Sequence, residues 1–213
     1  MEMNRGKYIL IEGGDGSGKS TQVELLHEYL LKKGILHVTT VEPGATELGK
    51  IYRRIIKGEA STEGLTNIAE LFTFLADRAQ NIKQIVSPNI ESRNWVISDR
   101  GFPSTFAYQG YGHGIDLGFI QEANRLAMSV KETNYFPDLT FIIKIDPQLG
   151  LEKSTDKSRF ERMGTGFHKR VLEGYLAFAK AYEETTIVLP HEINNQSLTH
   201  SRIVKILEER FKI

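Results

Sequence analysis

A glycine-rich segment near the start of the chain has the spacing of a phosphate-binding loop. Within IEGGDGSGKST, the pattern G-x-x-x-x-G-K-[ST] is matched by Gly13, Gly18, Lys19 and Ser20. In such a loop, backbone N–H groups surround phosphate oxygens, and the N-terminus of the following helix adds partial positive charge. Lys19 is suited to reach the β- and γ-phosphates of a nucleotide, and the Ser20 hydroxyl is suited to Mg²⁺. Because the whole pattern is present, it favours a nucleotide site over an ordinary glycine-rich turn.

Charged residues at the ends of two later strand-like segments predict a second anion site. Asp99 and Arg100 end the segment WVISDR, and EPGAT (42–46) follows the segment LHVTTV. Since ligands of open α/β sheets collect at the carboxyl ends of the strands, we expect both to lie beside the phosphate loop. Arg53 and Arg78, in nearby helical segments, are candidates to hold a phosphate there, although each alone could form a surface salt bridge. Two facing phosphate sites favour phosphoryl transfer between nucleotides over hydrolysis.

The elements that position these residues follow from hydrophobic patterns. Five short apolar segments predict buried strands of a parallel sheet: KYILIE, LHVTTVE, NWVISD, DLTFIIKI and TTIVL. Helical patterns lie between them; we expect STQVELLHEYLLKKG to end at Gly34 and LTNIAELFTFLADRAQNIKQIV to be ended by Pro88. FHKRVLEGYLAFAKAYEE and SLTHSRIVKILEERFKI predict amphipathic helices near the C-terminus. The alternation predicts an α/β fold, a five-stranded parallel sheet with helices on both faces, in a single domain over residues 1–213.

The composition limits the possible partners. The chain has 213 residues, and 27 basic side chains balance 27 acidic ones, so its charge gives no argument for a nucleic-acid or membrane partner. It has no cysteine, which excludes disulfides, thiolate catalysis and cysteine-bound zinc. The sequence has neither a signal peptide pattern nor an apolar run of ~18 residues, so we expect a cytoplasmic protein.

The sequence lacks the motifs that other classes of nucleotide-binding protein would carry. A GTPase would carry a base-reading N/T-K-x-D after a strand, and the end of the fourth strand, IIKIDPQ, has no such pattern. A motor ATPase would usually bring a longer chain and a strand ending in two acidic residues, whereas WVISDR has an arginine after its aspartate. These differences favour a small kinase with the fold of the P-loop NTPases.

Several motifs together resemble the thymidylate kinase family, from Tyr8 to about Ala181. EGGDGSGKST is similar to its phosphate loop, and TVEPGATELG is similar to T-R-E-P-G-G-T-x-L-G, with Val41 and Ala45 as departures. LFTFLADRAQ, VISDRGFPSTFAYQG and PDLTFIIKIDPQLGL are similar to the acceptor helix, the D-R-Y-x-x-S-S-x-A-Y-Q-G motif and the strand before the lid. Further departures, which leave the phosphate loop unchanged, are Gly101, Lys144 and Ser158.

The resemblance implies residues for the donor nucleotide and for the transfer. The expected ATP-binding residues are Gly13, Gly14, Asp15, Gly16, Ser17, Gly18, Lys19, Ser20 and Thr21. The expected catalytic residues are Asp15, Lys19, Arg100 and Arg159, and the expected ligands of the Mg²⁺ cofactor are Ser20, Asp15 and Asp99. Chemistry by positioning and charge neutralisation would need no strong general base, because the acceptor phosphate is already an anionic nucleophile.

The resemblance also implies the acceptor site. The expected dTMP-binding residues are Glu42, Pro43, Arg53, Phe74, Arg78, Arg100, Thr105, Tyr108 and Gln109. Phe74 would stack on the thymine ring, although a core phenylalanine is almost as plausible from the helical pattern alone. Arg78 would read the base edge or the monophosphate, and Tyr108 would pack against the deoxyribose and leave no room for a 2′-hydroxyl.

Some family members place the stabilising arginine in the phosphate loop and others in a mobile lid. Gly16 occupies the loop position, so this chain resembles the second group, with a lid at approximately 152–167. The expected lid cations are Lys153, Lys157, Arg159 and Arg162. A solvated charged loop is the alternative for this segment.

The sequence therefore predicts a thymidylate kinase that transfers the γ-phosphoryl group of ATP to dTMP in dTTP biosynthesis. A kinase of the same fold with another monophosphate or a deoxynucleoside as acceptor remains open, as does a nucleotide-binding regulator without catalysis. The resemblance, and not the residue pattern, implies a homodimer.

Overall fold

The computed structural model describes residues 5–59, 64–153 and 159–213. In chain order, the first elements are β1 (Tyr8–Gly13), α1 (Lys19–Lys32), β2 (His37–Val41), α2 (Glu47–Lys57), α3 (Asn67–Asn81), α4 (Ser87–Glu91), β3 (Trp95–Asp99), α5 (Phe102–Thr105) and α6 (Leu117–Ala127). The later elements are β4 (Ser129–Val130), β5 (Thr133–Asn134), β6 (Leu139–Lys144), α7 (Pro147–Lys153), α8 (Gly164–Ala181), β7 (Thr186–Pro190) and α9 (Gln196–Phe211). Two π-helical turns, Ile82–Val86 and Phe106–Gly112, and one 3₁₀ turn, Glu161–Met163, complete the helical segments.

Within the described residues, five parallel strands form the main sheet in the order β2-β3-β1-β6-β7. The central strand β1 pairs with β3 on one side, where Ile9 faces Ile97, and with β6 on the other, where Ile11 faces Phe141. The five predicted apolar segments are these five strands, and the expected α/β fold is confirmed. Strands β2 and β3 lie on one side of β1, and the later strands β6 and β7 lie on the other. Where the strand order reverses in this way, a crevice opens at the carboxyl ends of the strands, here beside β1.

The two faces of the sheet carry separate hydrophobic clusters. Ile9 and Ile11 pack with Leu26 of α1 and Leu207 of α9 on one face. Leu10, which points to the opposite face because side chains alternate along a strand, packs with residues of α3, α6 and α8. Helices therefore cover both faces of the sheet, as predicted.

Pro88 does not end the helical segment that begins at Asn67. The segment continues from α3 through the π-helical turn Ile82–Val86 into α4, where Pro88 occupies the first turn. Proline is tolerated in a first turn because no intrahelical partner is needed there for its missing N–H, and the π turn changes the hydrogen-bonding pattern at this point. The expectation of a helix end at Pro88 was therefore wrong.

Acceptor-site candidates lie on the segment that follows β3. Helix α5 runs directly into the π-helical turn Phe106–Gly112, and this turn packs against α8. Thr105, Tyr108 and Gln109 are thereby carried on consecutive helical turns beside the carboxyl end of β3.

In the described part of the chain, no helix combines the length and the apolar character needed to span a membrane.

Candidate active site

The loop between β1 and α1 has the backbone geometry of a phosphate-binding loop. Gly13, Gly16 and Gly18 have φ values of 140°, 71° and 88°, a region that side-chain-bearing residues rarely adopt. A Cβ added to Gly16 would lie 2.4 Å from the carbonyl oxygen of Gly150, so a larger residue has no space there. Lys19 donates from Nζ to the Gly14 carbonyl at 2.8 Å and closes the loop upon itself. The sequence pattern thus corresponds to a formed loop.

Lys19 is a charged group in an unfavourable environment. Its side chain is buried, and burial together with the nearby Arg100 lowers its pKa to about 8, although Asp15 and Asp99 partly oppose the shift. An anion bound beside Lys19 would supply the missing favourable charge. The loop is consequently prepared for a polyanionic ligand.

Arg100 and Asp15 form the charged link between the phosphate loop and the end of β3. Arg100 Nη2 contacts Asp15 Oδ1 at 2.5 Å, and Tyr108 donates from its hydroxyl to Asp15 Oδ2 at 3.1 Å. Burial acts to raise the pKa of Asp15, but Arg100 and Lys19 outweigh it and hold the pKa below its usual value. Burial and the charge of Asp15 raise the pKa of the Tyr108 hydroxyl, so Tyr108 stays protonated as a donor.

The backbone of Arg100 is in the left-handed region, with φ at 74°. Its N–H donates to the Ile11 carbonyl at 3.1 Å, and its own carbonyl accepts from the Ser98 hydroxyl at 2.7 Å. Such a conformation is costly for a residue other than glycine and persists where the surroundings fix it. The fixed backbone aims the guanidinium at the crevice beside Asp15.

Glu12, at the end of β1, is a completely buried carboxylate beneath Arg100. It accepts from the Gly101 amide at 2.7 Å, from the Ser104 hydroxyl at 2.7 Å and from the Tyr175 hydroxyl at 2.9 Å. Burial raises the pKa of Glu12, and the positive charge of Arg100 opposes that shift. Ser104 and Tyr175 were not among the predicted site residues, since their side chains reach Glu12 only after α5 and α8 have packed.

A cavity of about 260 Å³ opens beside the loop and contains most of the predicted acceptor residues. The predicted residues that line it are Asp15, Gly16, Lys19, Ser20, Glu42, Pro43, Arg53, Phe74, Asp99, Arg100, Thr105, Tyr108 and Gln109. Residues that line it without having been predicted are Val41, Ile56, Lys57, Ser104 and Phe160. The remaining predicted ATP-binding residues do not line the cavity: Gly13 ends β1, Gly14, Ser17 and Gly18 lie in the adjoining loop, and Thr21 lies in the first turn of α1.

Two arginines point toward this cavity from different elements. Arg53 of α2 donates from Nη1 to the Pro43 carbonyl at 2.7 Å, and Arg100 faces the same cavity from the end of β3. Helix α3 also holds the segment around Pro43, because the Gly44 amide donates to Asp77 of that helix at 3.1 Å. Burial and the nearby Glu42 raise the pKa of Asp77 to about 7. The cavity therefore brings Lys19, Arg53 and Arg100 together, and a second anion site there stays a prediction.

Arg78 lies behind the cavity wall instead of on it. Its Nε donates to Glu42 Oε2 at 2.7 Å, and its Nη1 donates to the Thr105 hydroxyl oxygen at 2.8 Å and to the side-chain oxygen Oδ1 of Asn124. Only 2% of Arg78 is exposed, and it is not among the residues that line the cavity. In this arrangement its contacts support two lining residues, and direct reading of a base or phosphate by Arg78 stays a prediction.

Three of the residues that line the cavity are aromatic: Phe74, Tyr108 and Phe160. Phe160 lies 6.3 Å from Phe74 and 5.6 Å from Tyr108, measured between ring centroids. The guanidinium carbon of Arg100 lies 5.5 Å from the centroid of the Tyr108 ring. An apolar slot next to a cationic pocket suits a nucleotide base joined to its phosphate.

The three predicted lid cations that the structure describes, Lys153, Arg159 and Arg162, do not line the cavity. Lys153 is exposed, with Nζ 3.4 Å from Nε2 of His191, and Arg162 is exposed. Arg159 contacts the buried Glu70, with 2.8 Å between Nη2 and Oε2, and it does not line the cavity. Lys157 lies outside the described residues, as does the departure at Ser158.

Ser20 and Asp99 offer oxygen atoms suited to Mg²⁺. The Ser20 hydroxyl donates to Asp99 Oδ2 at 2.6 Å, and both residues line the cavity beside Lys19. Mg²⁺ prefers a few oxygen ligands from the protein, with waters and phosphates as the others, so this pair fits the ion. Both oxygens of Asp15 already accept bonds from Arg100 and Tyr108, so Asp15 as a metal ligand stays a prediction. Among the described residues, no group of three or more histidine or acidic side chains has the geometry of a metal site.

Glu70 is a buried polar residue outside the predicted set, and it contacts His113, which is also outside that set. Glu70 accepts from Gln109 at 2.7 Å and contacts His113 at 3.1 Å. A signal was present, because Glu70 precedes Phe74 by four residues and Arg78 by eight, and this spacing places the three on one side of α3. An acidic residue in line with two predicted acceptor residues is a candidate for the same site.

Comparison with known proteins agrees with this geometry. Residues 11–203 match the sequence model of the family described as thymidylate kinase. A thymidylate kinase of Carboxydothermus hydrogenoformans is 42% identical over 179 residues, which cover 83% of this chain and 85% of that protein. One of Nostoc punctiforme is 32% identical, with coverage of 98% and 96%. The crystal structure of thymidylate kinase from Ehrlichia chaffeensis has a TM-score of 0.77 at 32% identity and covers 96% of this chain and 99% of that one. The chain belongs to the thymidylate kinase family of nucleoside monophosphate kinases.

Proposed function

We propose that the protein transfers the γ-phosphoryl group of ATP to dTMP, giving ADP and dTDP as a step of dTTP biosynthesis. The observation that carries this proposal is the placement of Lys19, Arg53 and Arg100 around one cavity that also contains Phe74. The phosphate loop would hold the donor phosphates, and the two arginines would hold the acceptor phosphate opposite them. A chain without cysteine agrees with the reducing cytoplasm that we propose as its location.

The aromatic part of the cavity is proposed to bind the nucleoside of dTMP. Phe74 offers a ring face on which thymine can stack, worth about 1–3 kcal/mol by analogy with other base–aromatic contacts. Thr105 and Gln109 are proposed to hydrogen-bond the base. Tyr108, whose hydroxyl is bound to Asp15, is proposed to pack against the deoxyribose.

Transfer in this site is proposed to depend on positioning and charge. The acceptor phosphate is already an anion and can attack the γ-phosphorus without a strong general base. Arg100, fixed by Asp15 and by its own strained backbone, and Lys19 would face the charge that spreads over the transferred group. Arg159 is paired with Glu70 in this structure, so Lys19 and Arg100 would stabilise this charge.

The main test is a coupled assay of ADP release with dTMP, dUMP, dCMP and thymidine as acceptors. We expect dTMP to give the highest kcat/KM, and the Lys19→Ala variant to lose at least about 100-fold in kcat, because the charge beside the donor phosphates is removed. The exposed Lys33→Ala, on the same helical segment but outside the cavity, is the control. A clear preference for another acceptor would contradict the assignment of dTMP. Absence of ADP release in the wild type would favour a nucleotide-binding protein without catalysis.

Mg²⁺ is proposed as the cofactor, held by Ser20 and Asp99 together with the phosphates of ATP. A bound Mg²⁺ supplies positive charge that neutralises the phosphates of the donor. We expect EDTA to abolish ADP release and added Mg²⁺ to restore it, and we expect Asp99→Asn to raise the Mg²⁺ concentration needed for half-maximal rate. Full activity in EDTA, or an unchanged Mg²⁺ requirement in the variant, would contradict this site.

The pKa of Lys19 predicts a pH dependence. Because this pKa is about 8, the charged form of Lys19 dominates below that pH and is lost above it. We expect kcat/KM for ATP to fall as pH rises through about 8, whereas kcat falls less, since bound phosphates stabilise the charged amine. In Lys19→Arg this decline should be absent, because arginine remains protonated. A constant kcat/KM across the same pH range in the wild type would contradict the prediction.

A homodimer is proposed through an apolar face on three adjacent helices. Helix α3 packs against both α2 and α6, and their exposed large apolar residues are Leu48, Ile51, Ile68, Phe72, Phe119 and Leu126. Phe72 and Phe119 are 52% and 45% exposed, and their rings lie 6.3 Å apart. A contiguous group of exposed apolar side chains is typical of protein interfaces.

Light scattering tests the proposed dimer. We expect the wild type to have the mass of two chains and Phe72→Glu combined with Phe119→Glu to have the mass of one, since buried unpaired carboxylates oppose association. Leu36→Glu is the control, because Leu36 is 75% exposed and lies outside these helices. A monomeric wild type, or a double variant that remains dimeric, would contradict the proposed interface.

A further inference from the structure

We propose that Glu70 fixes the orientation of the Gln109 side-chain amide and thereby makes the acceptor site select pyrimidines that carry a hydrogen on N3. This inference rests on the proposed function, in which Gln109 faces the acceptor base. Glu70 itself does not line the cavity, so it would act as a positioning residue and not as a catalytic one.

Glu70 is a completely buried carboxylate with three partners. Its Oε1 accepts from Gln109 Nε2 at 2.7 Å and lies 3.1 Å from His113 Nε2. Its Oε2 lies 2.8 Å from Arg159 Nη2. Because the oxygen Oε1 of Glu70 accepts from Nε2, the amide of Gln109 turns its NH₂ group toward Glu70.

The orientation of Gln109 decides which of its atoms remains for a ligand. With Nε2 bound to Glu70, the carbonyl oxygen Oε1 is the other polar atom of a side chain that lines the cavity. Within the described residues, this oxygen has no hydrogen-bond partner. Gln109 therefore offers an acceptor to the base.

Thr105, one helical turn earlier, offers the opposite polarity. Its hydroxyl oxygen accepts from Arg78 Nη1 at 2.8 Å, and Arg78 is held in turn by Glu42. Since guanidinium can only donate, the hydroxyl hydrogen of Thr105 remains available to a ligand in the cavity. The cavity thus carries a donor at Thr105 and an acceptor at Gln109. Arg78 fixes the polarity of Thr105, and Glu70 fixes the polarity of Gln109.

This pair is complementary to thymine and uracil but not to cytosine. Thymine and uracil present an acceptor at O4 beside a donor at N3–H, whereas cytosine presents a donor at N4 beside an acceptor at N3. Bound in the same position, cytosine would place its N4 donor opposite the hydroxyl donor of Thr105. Its N3 acceptor would lie opposite the carbonyl oxygen of Gln109, which is also an acceptor. A site with fixed polar groups rejects such a ligand strongly because buried groups are left unpaired.

The decisive variant is Glu70→Gln, which keeps the shape but can donate as well as accept. The amide of Gln109 could then rotate, and cytosine could be accommodated. Because Glu70→Gln alone leaves Arg159 without its partner, the double variant E70Q/R159Q is compared with R159Q, and these two proteins differ only at Glu70. Thermal unfolding establishes that each variant is folded.

For each protein, dissociation constants for dTMP, dUMP and dCMP are measured by calorimetry, alongside kcat/KM in the ADP-release assay. We expect E70Q, and E70Q/R159Q relative to R159Q, to lower the preference for dTMP over dCMP by at least about tenfold. The preference for dTMP over dUMP should not change, since these two bases present the same atoms at O4 and N3. A general loosening of the site would instead alter both preferences.

The proposal is overturned if the preference for dTMP over dCMP survives the loss of Glu70, or if both preferences fall together. It is also overturned if the wild type binds dCMP as tightly as dTMP. Failure of the proposed function would appear differently, as a wild type that binds dTMP with selectivity over dCMP but releases no ADP.

Discussion

The acceptor side of the site depends on an ion pair between two almost completely buried groups. Glu42 and Arg78 meet at 2.7 Å with about 2% of each side chain exposed. Removing either partner would leave an unpaired charge in the interior, which typically costs about 3–5 kcal/mol. Asn81 donates to the second oxygen of Glu42, and Arg78 continues to Thr105, so one network fixes both walls of the cavity. Thr105 on the cavity wall is therefore held by polar partners that lie in the protein interior.

A second charged pair, Arg100 with Asp15, joins this acceptor side to the phosphate loop. It links the end of β3 to the loop after β1, and the two strands are neighbours in the sheet. Lys19, Arg100 and Asp15 lie close enough to shift one another's pKa values. A polyanion that enters would meet an arrangement already formed, and such preorganisation lowers the cost of binding and of charge movement.

Some of the site could be predicted from the sequence, and the limits follow from how each residue is held. The five strands were identified because β-branched apolar runs are buried on both faces of a parallel sheet. The end of a helix at Pro88 was predicted wrongly, because a π turn allows the chain to continue into α4 with proline in its first turn. Arg78 contacts Glu42 and Thr105, with which it was grouped, yet its burial behind the wall could not be read from helical spacing. Glu70 was missed because its partners come from the turn after α5 and from the segment before α8.

By itself, the sequence determined the phosphate loop, since the conformation of a short glycine-rich turn before a helix is specified within about a dozen neighbouring residues. It also determined the strands and thereby the α/β fold. Only the tertiary structure decided which charges meet, because Arg78 and Glu42 are 36 residues apart and Gln109 and Glu70 are 39 apart. The orientation of a side-chain amide depends on such a distant partner, and local sequence patterns carry no information about it.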